Sequence, residues 1–87
     1  MPKEPIRQLD IERHFCAAMI ELRKHKMQLS QEDLSQKLRA RGWPVSTQAT
    51  ISDIETGKRR VNLTEAYWIA EMLETTINEM IEVGKFL

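Results

Sequence analysis

The sequence is poor in the residues from which several kinds of functional site are built. Its single cysteine, Cys16, cannot form an internal disulfide, which fits a protein of the reducing cytoplasm. This cysteine and the two histidines are not clustered, so no zinc-ligand spacing occurs. None of the three glycines belongs to a phosphate-binding loop pattern. We therefore expect no metal, no cofactor and no enzymatic activity.

The sequence also has no long apolar run, and its formal net charge is zero. The longest apolar run is Phe15–Ile20, too short to cross a membrane, and the first residues lack the hydrophobic region of a secretory signal. The 87 residues allow one small domain, and their thirteen basic and thirteen acidic side chains cancel. The charges are unevenly spread, however. Residues 1–60 carry twelve basic and eight acidic side chains, so the neutral total does not exclude a nucleic-acid partner.

Helix start signals and apolar spacing predict five helices and no strands, which makes the fold class all-α. The first helix is expected from about Leu9 to Lys26 on its apolar periodicity. Four N-cap residues mark the starts of the others: Ser30, Thr47, Asn62 and Thr76. Three glycines are expected to end helices: Gly42, Gly57 and Gly84. We expect one domain over residues 9–84, with a flexible arm at residues 1–8 and a tail at residues 85–87.

Residues 29–58 describe two short capped helices joined by a turn, which is a helix-turn-helix. Their motifs resemble the Cro/Xre family of phage-repressor-like DNA-binding domains. The matching segments are Leu29–Leu34, Gln48–Lys58 and Ile69–Leu73, and the resemblance extends from about Phe15 to Ile81. It implies a compact five-helix domain with the helix-turn-helix at its second and third helices. The implied function is transcriptional regulation, as a repressor that occupies an operator in double-stranded DNA.

The third helix is expected to read bases in the major groove. Gln48 lies in its first turn, and a glutamine can bond adenine through a donor and an acceptor together. Ala49 can present its methyl group to a thymine methyl, and Ser52 lies on the same face. Asp53 can accept from a cytosine amino group or point to solvent, and the family often carries a neutral or basic residue there.

Other residues are expected to bind the DNA backbone. The resemblance implies that Gln31 holds a phosphate and braces Gln48. The further phosphate candidates are Thr47, Thr50, Lys58, Arg59 and Arg60. A solvated loop is the alternative for the three cations, since runs of like charge are usually solvated. The resemblance also implies a structural ion pair between Arg23 and Glu55.

The turn before the third helix is longer than the family's compact form. We expect the second helix to gain a turn and Trp43–Val45 to run extended, with Trp43 packing over the turn. The chain has more apolar side chains than a five-helix core needs, and the excess lies at Tyr67, Trp68 and residues 86–87. We therefore expect a homodimer on a palindromic operator, the alternative being local packing of Trp68.

Two other functions stay open on the sequence. The first is an antitoxin that autoregulates its operon and holds a toxin on its acidic last helices or on residues 86–87. The second is a protein-interaction module that has lost DNA binding, for which Asp53 is the best support because phosphates repel it.

Overall fold

The computed structural model describes residues 3–87, with side chains from Asp10 onward. This part of the chain contains five α-helices and no strand, so the predicted all-α class is confirmed. The helices are α1 (Lys3–Glu21), α2 (Gln31–Arg41), α3 (Gln48–Glu55), α4 (Leu63–Met72) and α5 (Ile77–Gly84), and a π-helical turn, Leu22–Lys26, extends α1. Among the described residues, no helix has the length and apolarity that a membrane span requires.

The first helix begins earlier than the apolar pattern predicted, at Lys3 rather than near Leu9. Pro5 does not prevent this, because a proline in the first helical turn lacks only an N–H that has no intrahelical acceptor. The predicted arm at residues 1–8 therefore falls partly on helical backbone. Met1 and Pro2, together with the side chains of residues 3–9, lie outside the described residues.

All four predicted N-caps are confirmed. Ser30 with Asp33 and Asn62 with Glu65 form complete capping boxes, in which each side chain bonds the other residue's backbone N–H. The bonds with Ser30 hold the pKa of the Asp33 carboxyl below its usual value. The hydroxyl groups of two threonines accept the equivalent bonds at the starts of α3 and α5: Thr47 and Thr76.

The core joins all five helices and fixes α3 against α2. Leu34 and Leu38 of α2 and Ile51 and Ile54 of α3 are completely buried, as their helical spacing predicted. The other core members come from the remaining helices and from the turn before α3: Phe15, Ala18, Met19, Trp43, Ala66, Ile69, Ala70, Leu73 and Met80. An eight-residue helix such as α3 is marginal in isolation, so these contacts determine its position.

The turn before α3 is tighter than predicted, and the extended path expected for Trp43–Val45 is wrong. The Trp43 N–H donates to Leu38 O at 3.0 Å, and the Ser46 N–H donates back to Trp43 O at 3.2 Å. Pro44 thus takes the second position of a β-turn, which its fixed φ favours. Trp43 is buried and packs on Trp68 with ring centroids 6.3 Å apart. The chain reverses at this point because Trp43 is drawn into the core.

The last helix ends at Gly84, as the sequence predicted, and this glycine also has a role in packing. It is the last residue of α5, where its backbone lies directly against α1. A Cβ atom at this position would lie 1.8 Å from His14 O and 2.4 Å from His14 C. The absence of a side chain at Gly84 therefore lets α5 pack on α1.

Replacing Gly84 by alanine should destabilise the protein by roughly 1–3 kcal/mol, because the added methyl group forces α5 away from α1. Urea unfolding measures the loss. Gly57→Ala is the matched control, since its Cβ would meet nothing within 4 Å and only the positive φ of 81° is unfavourable. A Gly84→Ala variant as stable as the wild type would contradict the close contact.

Candidate nucleic-acid interface

Helix α3 has one buried side and one side turned to solvent. Ile51 and Ile54 hold the inner side in the core. Gln48 and Ala49, at the opposite side of the first turn, are exposed, and Ser52 and Asp53 are half-buried. All four residues predicted to read bases are therefore on or near the accessible side of α3.

Gln48 is tied to the start of α2 through Gln31. Gln48 Nε2 donates to Gln31 Oε1 at 2.5 Å, and Gln31 Nε2 donates in turn to Glu55 Oε1 at 2.8 Å. Gln31 thus uses both its amide oxygen and its amide nitrogen within the protein, whereas Gln48 uses only its nitrogen in these bonds. Gln48 Oε1 makes no hydrogen bond to any residue whose side chain the structure describes, so the amide retains an acceptor directed away from this chain of bonds.

The chain of bonds ends in a buried ion pair. Arg23 donates from Nε and Nη2 to the two oxygens of Glu55, at 2.7 and 3.0 Å, and these side chains are only 6% and 3% exposed. The third donor group of Arg23, Nη1, bonds Leu29 O at 2.9 Å. These are the residues for which the family resemblance implied a structural pair. The pair joins the end of the first helical segment, the start of α2 and the end of α3.

The predicted phosphate contacts fall into two groups. Thr47 and Thr50 lie at the N-terminus of α3 with their hydroxyl oxygens 3.0 Å apart, and Gln31 is the first residue of α2. Helix N-termini favour phosphate through free N–H groups and the helix dipole. Lys58 is exposed and makes no ion pair with any side chain from residue 10 onward.

Arg59 and Arg60, which the sequence grouped with Lys58, bond carboxylates in the structure. Arg59 donates to both oxygens of Glu65, at 3.1 and 2.8 Å, and Arg60 Nε donates to Glu12 Oε1 at 3.0 Å. Sequence reasoning missed both pairs. The sequence does not show how the loop after α3 returns Arg59 to Glu65, and Glu12 is 48 positions from Arg60, so no helical spacing links that pair.

Charge around Arg59 is locally balanced. The hydrogen bond with Glu65, followed by the charges of Glu65 and Asp53, raises the pKa of the Arg59 guanidinium, against the effect of its partial burial. Burial acts to raise the pKa of Glu65, but bonds from Arg59 and from the Asn62 N–H outweigh it and hold that pKa below its usual value. Asp53 also accepts the N–H groups of Lys58 and Arg59 at its backbone carbonyl, which shapes the loop after α3.

An open groove of about 570 Å³ lies between α1 and the loop after α3. Cys16 lines it and donates from Sγ to Ile54 O at 3.1 Å. Burial, together with the charges of Glu12 and Glu55, raises the pKa of the Cys16 thiol to about 11, which keeps it protonated at neutral pH. In the described part of the chain, no group of three or more histidine, cysteine and acidic residues is placed to hold a metal ion.

Glu55→Gln should destabilise the protein by about 3–5 kcal/mol, because it leaves the buried charge of Arg23 without a counter-charge. Denaturant titration measures the loss. Glu71→Gln is the matched control, since Glu71 pairs with Arg41 at an exposed site and its loss should cost less than about 1 kcal/mol. Equal costs for the two substitutions would show that the Arg23–Glu55 pair does not anchor α3.

The bonds of Glu65 should make stability fall in acid. Its folded-state pKa lies below the ordinary value of 4.5, so its stabilising effect is present above that pH. This effect is lost as the pH falls from 4.5 through the folded-state pKa. Thermal unfolding across this range should therefore show a smaller acid loss for Glu65→Gln than for the wild type. Parallel curves for the two proteins would contradict the assignment.

Comparison with known proteins supports what the geometry indicates. The family model described as "Helix-turn-helix" matches residues 19–80, more than half of the chain. Neither the curated proteins nor the solved structures gave a match. The matched segment contains α2, α3 and α4 with the bonds that join them. The chain therefore belongs to the Cro/Xre-type helix-turn-helix family and is a DNA-binding regulator of transcription.

Proposed function

We propose that this protein is a repressor that reads a palindromic operator in the major groove with α3. The bond between Gln48 and Gln31 is the observation that carries the proposal. It restrains an exposed glutamine at the first turn of α3 and leaves its amide oxygen available. A restrained amide binds a base more tightly than a free one, because less conformational entropy is lost on binding, and its fixed direction selects a base edge that matches its donor and acceptor.

Four of the exposed or half-buried residues of α3 supply the base contacts. Gln48 bonds an adenine, with Oε1 accepting from the amino group and the remaining N–H of Nε2 donating to N7. Ala49 contacts a thymine methyl, and Ser52 bonds a neighbouring base edge. Asp53 accepts from a cytosine amino group, which makes its negative charge a source of selectivity at the edge of the contact.

The DNA phosphates are bound by groups at the two ends of α3, on either side of the base-reading residues. The N-termini of α2 and α3, with Gln31, Thr47 and Thr50, bind phosphates on one side of α3. Lys58 neutralises a phosphate beyond its other end. Arg59 and Arg60 already bond carboxylates, so Lys58 is the residue of this loop that is best placed to bind a DNA phosphate.

A second copy of the chain completes the operator contact. Leu63 and Tyr67 of α4, with Phe86 and Leu87, are exposed apolar residues that the core does not cover. A two-fold dimer through such residues places two α3 helices in successive major grooves, about 34–36 Å apart. Occupation of the operator by the dimer excludes polymerase and represses transcription.

Selection of bound sequences from random duplex DNA tests the proposal. The wild type should select a palindrome, and Gln48→Ala should lose about 1–3 kcal/mol of discrimination at one position of each half-site. Gln36→Ala is the matched control, because Gln36 is an exposed glutamine of α2 that bonds Glu32 rather than Gln31. A reporter gene placed behind the selected operator distinguishes repression from activation.

Salt titration separates the backbone contacts from base reading. Lys58→Ala should weaken binding to all sequences about equally and reduce the slope of log K against log salt by about 0.9. Absence of any enriched sequence at low salt would overturn the proposed function.

A further inference from the structure

Arg59 contacts two side chains of the protein itself, Glu65 and Trp43, and a residue whose role was only to bind a phosphate would need neither contact. Its guanidinium bonds both oxygens of Glu65, which is nearly buried as the third residue of α4. Arg59 Cζ also lies 5.6 Å from the centre of the Trp43 ring, within range of a cation–π interaction. A bidentate bond to a carboxylate together with contact to an aromatic face uses the planar shape of arginine, which lysine does not have.

Trp43 connects this contact to the turn before α3. Its ring is only 3% exposed and packs on Trp68 of α4, and its backbone bonds Leu38 at one end of the turn and Ser46 at the other. The arginine of the loop after α3 therefore holds the tryptophan of the turn before α3. Both are anchored on α4, through Glu65 and Trp68.

The turn leads directly into the first turn of α3. Ser46 is completely buried and precedes the cap residue Thr47, which is followed by Gln48. Arg39 Nη1 donates to Ser46 O at 2.5 Å and ties the turn to α2 as well. A shift of Trp43 would therefore move the residue from which α3 starts, and with it the direction of the Gln48 side chain.

We propose that Arg59 is a positioning residue for base reading rather than a phosphate contact. Clamped between Glu65 and Trp43, it fixes the turn of residues 42–46 and thereby the angle at which α3 presents Gln48. The inference rests on the proposed function of α3 as the reading helix. It assigns a specificity role to three residues that touch no base: Arg59, Glu65 and Trp43.

The first test is DNA binding by Arg59→Lys and Glu65→Gln, measured against the operator that the wild type selects and against the same operator changed at the base pair read by Gln48. Lysine keeps the positive charge, and glutamine keeps the capping bond of α4. Both variants should lose roughly tenfold in preference between the two sequences while keeping the wild-type salt slope. Measurements are made well below each variant's unfolding temperature, where loss of stability alone leaves the preference unchanged.

A phosphate contact gives the opposite result. Arg59→Lys would then keep the wild-type preference, and Arg59→Ala would reduce the salt slope by about 0.9, as Lys58→Ala does. This pair of results would overturn the positioning role.

A double-mutant cycle in urea tests the clamp without DNA. Arg59→Lys and Trp43→Leu together should lower the unfolding midpoint by less than the sum of their separate effects, because each removes the same contact. If the effects of the two substitutions are additive and the wild type still selects an operator, the contact between Arg59 and Trp43 is overturned and the proposed function is not. Failure of the wild type to select any DNA would overturn the proposed function, and the positioning of a reading residue with it.

Discussion

The buried ion pair between Arg23 and Glu55 is the contact on which the proposed DNA-binding surface depends. A charge taken out of water is tolerated only when its hydrogen-bonding groups are nearly all used. Glu55 meets this requirement by accepting from Arg23 and from Gln31, and the Gln31 amide then has its oxygen free to accept from Gln48. The orientation of an exposed glutamine at one end of α3 thus follows from the solvation needs of a carboxylate at the other end.

The structure shows that many of the opposite charges that cancel in the neutral total are paired with each other within the molecule. Besides Arg23, three arginines from the basic part of the chain are bound to carboxylates of other segments: Arg41 to Glu71, Arg59 to Glu65 and Arg60 to Glu12. Two of these carboxylates belong to the acidic segment after residue 60, so much of the opposed charge is used within the molecule. We therefore expect the bulk attraction to DNA to be modest, so that the proposed recognition depends on where individual side chains are placed.

Local features of the fold could be predicted from the sequence, and features set by distant contacts could not. An N-cap bonds a residue three positions away, so Ser30 and Asn62 were identifiable without a structure. The turn at Trp43 depends on burial against α4, and the pairing of Arg59 with Glu65 depends on how a loop returns to a helix, which spacing does not encode. In the candidate site, Gln31 with Gln48 and Arg23 with Glu55 came from the family resemblance, because their separations of 17 and 32 residues carry no periodic signal.

Helix α3, the proposed recognition helix, has eight residues and almost no orientation of its own, since its stability comes from tertiary contact. The end of α3 is held by Glu55, and its start is held by the bond of Gln48 to Gln31 and by the residues that precede it: the cap Thr47, the buried Ser46 and the turn at Trp43. A longer turn at this point would ordinarily loosen the start of the helix, because a longer flexible segment has more conformations. Burial of Trp43 removes that freedom, and Arg39 and Arg59 restrain the turn from α2 and from the loop after α3. The added length is therefore compatible with an accurately placed Gln48 only because the turn is packed as part of the core.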